Sequence, residues 1–429
     1  MNKILKEAKK INREYNTFIT INESFSEGIP IVVKDNICTL DLKTTAGSKI
    51  LENYVPIFDA TVIKKLKEKN FSVLGKTTQD AFGFGTFSTN TELGIPKNPF
   101  DKNRSCGGSS GGTAAYIKLS ENVKYGLGQS TGGSINCPAA FCGVVGLTPT
   151  YGLVSRYGLI DYANSFDRIG PITKTVKDAA ELLTIISGID TKDPTTQNKN
   201  EDYTKYLNEE IKGIKIGIIK ECFSEKIDEN IKSGIKETII VLEKKGCEIQ
   251  EISIPITQHL VSAYYIIALA EASTNLAKYS GMIYGLEEKP EENYNEYFEK
   301  IRKNFSLEEK RRILLGTFVR MAGYKKAYYN KAIQIRNLAV KQFQEIFKKF
   351  DLLITPTMPI LPPKFEEIEK LSPLQTYAMD FLTIIPSVTG LPSMSLPVKT
   401  KTKLPIGMQL IANHFHEKNL VKVGDAYEK

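Results

Sequence analysis

Apolar residues change spacing along the chain, and the changes mark strands and helices in alternation. Ile29-Pro30-Ile31-Val32-Val33 is a short unbroken apolar run, the pattern of a strand buried on both faces. Residues 59–69 (DATVIKKLKEK) place apolar side chains at helical spacing, and 71–74 read as a short strand. Residues 110–119 follow glycines and are rich in alanine, so they read as a helix that begins at a serine pair. Residues 134–143 read as a second helix, with a serine at its N-terminus. Segments 215–219, 228–245 and 248–254 form a βαβ-like unit. Residues 264–279 and 312–350 read as long helices, and 352–355 as a strand ended by Pro356. The N-terminal MNKILKEAKKINREYN reads as a charged amphipathic helix and not as a signal peptide. The polar stretch 190–210 reads as a connecting loop. Without repeats or low-complexity tracts, the pattern predicts one interleaved α/β body.

Composition narrows this picture little. The chain has 429 residues, is 41% hydrophobic and 25% charged, and carries a net charge of +8. That charge permits contact with an acidic partner such as tRNA without demanding it. The lysines over 64–69 alternate with acid and leucine, the pattern of a solvated helix face. No apolar run approaches the roughly 18 residues needed to span a bilayer, so no membrane contact is expected. Cys38, Cys106, Cys137, Cys142, Cys222 and Cys247 form no CxxC pair. They read as buried free thiols in a reducing cytoplasm, and no metal site is expected.

The chemistry concentrates in GGSSGGTAAYIKLSENVKYGLGQSTGGS, residues 107–134. Glycines flanking Ser109 and Ser134 let the backbone approach a substrate and aim several N–H groups at one point. Only three histidines exist, His259, His414 and His416, and none lies in a motif-like setting. A nucleophilic Ser134 would therefore need another base, and a lysine held neutral is the sensible choice. Lys34 follows the apolar strand directly. Its pKa would have to fall by roughly 3 units from about 10.4 to accept a proton near pH 7. Burial beside Ile31, Val32 and Val33 pushes it that way. Ser109 could relay a proton, and amides at the start of the 134–143 helix could stabilise an oxyanion. The rival reading, a phosphate-binding loop at Gly75-Lys76-Thr77-Thr78, fails because its first glycine would fall at Asn70.

Lys34-Asp35-Asn36, GGSSGGTAA (107–115) and STGGSINCPAAFCGVVGLTPTYG (130–152) resemble the amidase signature family, over nearly the whole chain. Segments 154–174, 264–285, 310–329, 376–392 and 405–411 are similar to one branch, the A subunits of tRNA-dependent amidotransferases. The resemblance implies an α/β amidase-signature fold, a large mixed central sheet covered by helices on both faces. It implies one domain over 1–429, with a signature core at about 28–190, a connection at about 190–210 and a glutamine-pocket half at about 260–429. By residue, it implies Lys34 as base, Ser109 as bridging serine after a cis peptide bond, and Ser134 as acyl-enzyme nucleophile. Thr131, Gly132 and Gly133 would supply oxyanion donors. Arg312 would grip the α-carboxylate of glutamine, Asp380 its α-ammonium, and Tyr264 would hydrogen-bond nearby.

The implied activity is glutamine hydrolysis. The chain would work in a complex with B and C subunits. Its ammonia would pass to the B subunit, which would amidate Glu-tRNA(Gln) or Asp-tRNA(Asn). The chain itself would bind no cofactor, and ATP and magnesium would belong to the amidating partner. The tRNA would be contacted mainly through the complex. The alternatives are a stand-alone small-amide hydrolase and a non-catalytic binding subunit. Two positions depart from the bacterial pattern: Ser130 replaces an aspartate and Asn136 an arginine, which is similar to the archaeal branch. Both members of an ion pair are thus absent together, so no buried charge is stranded. The lead-in before Lys34 is short, which predicts that a usual first helix is missing.

Overall fold

The computed structural model describes residues 3–289, 293–400 and 402–429. Eleven strands are β1 Phe18–Ile21, β2 Ile29–Lys34, β3 Phe71–Thr77, β4 Tyr125–Ser130, β5 Val145–Thr148, β6 Arg168–Thr173, β7 Lys215–Ile219, β8 Glu248–Ile252, β9 Leu352–Pro356, β10 Ser393–Pro397 and β11 Gly407–Ala412. They form one sheet in the order β1-β3-β2-β4-β6-β5-β10-β11-β9-β7-β8. β2 runs parallel to β3 and β4, and β7 parallel to β8 and β9; the remaining pairs are antiparallel.

Alternation along β2 shows how both faces are covered. Val32 enters a core with Ala114, Ala115 and Ile117 of helix Gly111–Leu119. Ile31 and Val33 enter the main core, with Leu182 and Leu183 of helix Val176–Ile186. Parallel strands buried on both faces need such apolar runs.

The βαβ unit forms as predicted, with helix Glu229–Lys244 started by the Asp228 side chain on the Asn230 amide. The N-terminal helix is present as Lys3–Tyr15; Met1 and Asn2 lie outside the described residues. Its Leu5 and Ala8 join the 111–119 core.

Three expectations need correction. The helix over 312–350 is three helices, Leu307–Arg320, Ala322–Lys325 and Tyr329–Ile346. Met321 has an extended ψ of 143°. Residues 320–328 are all exposed, so no core packing rewards a continuous helix across the breaks at Met321 and at 326–328. The helix over 134–143 begins later, as Asn136–Cys142, and leaves Ser134 in the preceding turn. Lastly, the stretch Pro255–Lys278 is long and apolar enough, by length and composition, to cross a membrane. Most of its apolar window, 61%, is buried within the protein against helices Leu307–Arg320 and Tyr329–Ile346, as in a core helix.

Candidate functional site

The carboxyl ends of β2 and β4 lie side by side, and their polar residues meet there. Ligands of α/β sheets collect at such ends. Lys34 closes β2 and is fully buried. Its Nζ donates to Ser109 Oγ at 2.6 Å, to the Gln129 carbonyl at 2.8 Å and to Gln129 Oε1 at 3.0 Å. Burial pushes the Lys34 pKa down to about 7, against the carboxylates of Asp80 and Asp167 that favour the ammonium. The Gly108–Ser109 peptide bond is cis.

Ser134 follows β4 after Thr131, Gly132 and Gly133, and the Ser110 amide donates to its carbonyl at 3.3 Å. Among the described residues, the amides of Gly132, Gly133 and Ser134 have no protein acceptor. A Cβ on Gly133 would lie 2.2 Å from Thr383 Oγ1, and one on Gly132 would lie 2.9 Å from the Tyr264 hydroxyl. Glycine is therefore required at both positions. The Thr131 side chain turns to Asp167, its Oγ1 donating to Oδ1 at 2.6 Å, while its amide, like those of Gly132 and Gly133, has no protein acceptor among the described residues.

One small cleft of about 10 Å³ is lined by Gly132, Gly133, Ser134, Tyr264, Arg312 and Asp380, together with Tyr162 and Tyr265. The sequence-predicted nucleophile, two of its oxyanion glycines and all three substrate residues thus converge. Arg312 is buried against Tyr162 and Glu308, its Nε donating to Glu308 Oε1 at 2.8 Å. Its guanidinium lies over the rings of Phe84 at 4.8 Å and Tyr377 at 5.4 Å. Asp380 Oδ2 accepts from Thr86 Oγ1 at 3.0 Å and from the Tyr265 hydroxyl. Burial pushes its pKa up to about 6. A larger cavity, about 790 Å³, lies elsewhere beside Cys38, Tyr54 and Tyr279 and contains none of these groups. The predicted nucleophile and the predicted charged pair lie in the small cleft and not in that cavity.

Sequence reasoning missed Gln129, Asp167, Asp80, Tyr162, Tyr265 and Glu308. A glutamine in the otherwise small and apolar GLGQS strand was the available signal for Gln129. Asp80, buried, accepts from the amides of Ser88 at 3.0 Å and Asn90 at 2.8 Å, and its own amide donates to the Ser109 carbonyl. The departures at 130 and 136 sit in a neutral network. Ser130 Oγ donates to the Gly132 carbonyl at 2.9 Å. Asn136 donates to Ser393 Oγ at 2.8 Å and Gln409 Oε1 at 3.0 Å, and accepts from Thr148 at 3.1 Å. Lys76, the rejected phosphate-loop lysine, is buried in β3 and donates to Thr44 Oγ1 at 2.9 Å and to the Ile37 carbonyl.

A buried lysine–serine pair on a mixed sheet suits amide hydrolysis, and the chain belongs to the amidase family, which it matches over residues 1–421. Among its relatives are proteins named as the A subunit of glutamyl-tRNA(Gln) amidotransferase. That of Persephonella marina is 47% identical, over 98% of this chain and 87% of its own length. That of Methanococcoides burtonii is 44% identical, over 94% and 84%. The crystal structure of the Thermotoga maritima protein of that name superposes with a TM-score of 0.86 at 39% identity, covering 99% of this chain and 90% of that one. A 6-aminohexanoate cyclic dimer hydrolase, 20% identical, shares the fold.

Proposed function

We infer that this chain is the glutamine-hydrolysing A subunit of a tRNA-dependent amidotransferase. The convergence of Ser134, Arg312 and Asp380 on one cleft carries the reading, and the names of its relatives support it. Neutral Lys34 takes the Ser109 proton while Ser109 takes that of Ser134. Ser134 Oγ then bonds to the side-chain amide carbon of glutamine. The oxyanion faces the amides of Gly132 and Gly133, a low-dielectric setting where such donors act strongly. As the intermediate collapses, the C–N bond breaks and the proton returns through Ser109 to the leaving nitrogen, giving ammonia. Water hydrolyses the acyl-enzyme to glutamate. Ammonia passes to the B subunit, which uses ATP and magnesium to amidate Glu-tRNA(Gln) or Asp-tRNA(Asn). A C subunit joins the two in a cytoplasmic complex. Ammonia release from glutamine, measured with and without the B and C subunits, ATP and misacylated tRNA, tests the reading. Release that is absent under every condition overturns it.

The pocket makes a separable prediction. Arg312→Ala and Asp380→Ala each lower kcat/KM for glutamine by roughly 10- to 100-fold, the value of a charge-assisted hydrogen bond. Hydrolysis of a simple amide lacking the α-amino and α-carboxylate groups is little affected. Equal losses on both substrates argue for a general amidase.

The pH dependence follows from Lys34. Its pKa is lowered to about 7, so the neutral base predominates above that pH and the inactive ammonium below it. kcat/KM for glutamine therefore rises with pH through about 7. Asp380 must be ionised to hold the α-ammonium, and its raised value of about 6 steepens the same limb. A profile flat between pH 6 and 8 excludes a titrating lysine base.

A further inference from the structure

We propose that Gln129, locked by Asp167 and Thr131, is a positioning residue that fixes the Lys34 lone pair on Ser109. The inference rests on the reading of Lys34 as the base. A neutral amine has two N–H donors and one lone pair, and an ammonium has three donors. Lys34 Nζ has three neighbours: the Gln129 carbonyl at 2.8 Å, Gln129 Oε1 at 3.0 Å and Ser109 Oγ at 2.6 Å. Both Gln129 oxygens can only accept. In the neutral state they therefore take the two N–H groups, and the lone pair is left facing the Ser109 hydroxyl. When Lys34 receives the Ser109 proton, the third N–H points at the same Ser109 oxygen. The proton moves without any heavy atom turning, the kind of preorganisation that lowers a barrier.

This works only if Oε1, and not Nε2, of the amide faces Lys34, and the surroundings dictate that orientation. Gln129 Nε2 donates to Thr131 Oγ1 at 2.8 Å and to Asp167 Oδ1 at 3.0 Å. Oε1 also accepts from Asn36 Nδ2 at 3.1 Å. All four hydrogen-bonding positions of the amide are thus used. A flipped amide would set its NH2 against the donors of Lys34 and Asn36, and its oxygen against a carboxylate. Asp167 is itself fixed: Oδ1 also accepts from Thr131, and Oδ2 from the amides of Tyr162 at 2.9 Å and Ala163 at 3.0 Å. The antiparallel pairing of β4 with β6, Gln129 opposite Ile169, brings Asp167 to this place. Two carboxyl groups bear on Lys34, Asp80 from the segment after β3 and Asp167 from the segment before β6, and burial raises them to about 6 and about 7.

The test measures kcat, KM and the pH profile of glutamine hydrolysis by the full chain with its partner subunits. Gln129→Met keeps the side-chain length and removes the Oε1 acceptor and the Nε2 donor. We expect kcat to fall roughly 10- to 100-fold with KM within about threefold, because one hydrogen bond to a charged group is lost. The acid limb moves to lower pH by about one unit, since the lost acceptor favoured the ammonium. Gln129→Glu, equal in size, moves the limb the other way by placing a carboxylate at Nζ. A merely structural role leaves the limb of Gln129→Met unmoved. Asp167→Asn lowers kcat, and the double variant with Gln129→Met loses no more than the worse single variant, because Asp167 acts through Gln129. Additive losses, or a limb unmoved in Gln129→Met, overturn the proposal. Lys34→Arg is the control. If it is inactive while the Gln129 limbs stay put, only the positioning role falls; if it is active, the base assignment falls and the positioning role with it.

Discussion

Ser134→Ala removes glutamine hydrolysis and leaves the protein folded. The side chain sits in the turn between β4 and helix Asn136–Cys142 and is almost fully buried, at 6% exposure. The contacts that hold this turn belong to the backbone. The Ser134 carbonyl accepts from the Ser110 amide, and the Gly133 carbonyl accepts from the Cys137 amide at 2.8 Å. Deleting one oxygen therefore leaves the turn, the glycine amides and the substrate pocket in place. What disappears is the atom that bonds to the substrate. Loss of a nucleophilic serine elsewhere costs about 10⁶-fold in kcat, with a residue of rate from the oxyanion site and binding. The same order is expected here. The variant still binds glutamine, because Arg312 and Asp380 are untouched. In the complex, amidation with free ammonium is expected to survive, since the proposed function gives that step to the B subunit. The check is mass spectrometry after treatment with a glutamine-analogue electrophile. A covalent adduct that persists in Ser134→Ala places the nucleophile elsewhere.

The parts of this site that could be read from the sequence are those whose chemistry is local. Lys34 ends an apolar strand, and Ser109 and Ser134 stand among glycines, so residue type and neighbours suffice. Arg312 and Asp380 are 68 residues apart and look like surface charges on their own; only the resemblance to a family put them in one pocket. Gln129 showed in the sequence only as an odd polar residue in GLGQS and Asp167 not at all, because their contact forms only once β4 pairs with β6. The same limit explains the fold. The βαβ unit over 215–252 is dictated by local period and formed as expected. The break at Met321 was missed because apolar spacing continues through it, while the core that would reward a continuous helix is absent there. The stretch Pro255–Lys278 shows the converse. Its composition suits a bilayer as well as a core, and only the helices packed on it decide.

Lys34→Arg and Lys34→Met are both expected to be inactive, with losses of several orders of magnitude, and together they separate charge from proton transfer. Arginine keeps the positive charge but is never deprotonated in the working range. It also brings five donors to a site with three acceptors, so its inactivity could reflect local distortion. Methionine resolves this. The acceptors that Lys34 leaves behind keep other partners: Gln129 Oε1 has Asn36, and the Gln129 carbonyl has Ser110 Oγ at 3.2 Å. Lys34→Met should therefore fold well, and its stability relative to the parent has a definite pH dependence. The folded pKa of Lys34 is about 7, below the ordinary lysine value of 10.5. An unfolded chain thus binds a proton that the folded chain releases, and this disfavours folding. The cost grows as pH falls from about 10.4 to about 7 and is constant below that, on the order of 5 kcal/mol at full extent. The methionine variant escapes the cost, so its Tm should exceed the parent's by a margin that widens as pH falls through this window. Glutaminase assays and thermal melts between pH 6 and 10 make the test. Activity retained in Lys34→Arg would mean that the lysine supplies charge alone. A Tm difference independent of pH would mean that Lys34 carries the same proton in both states, and a neutral lysine base would be excluded.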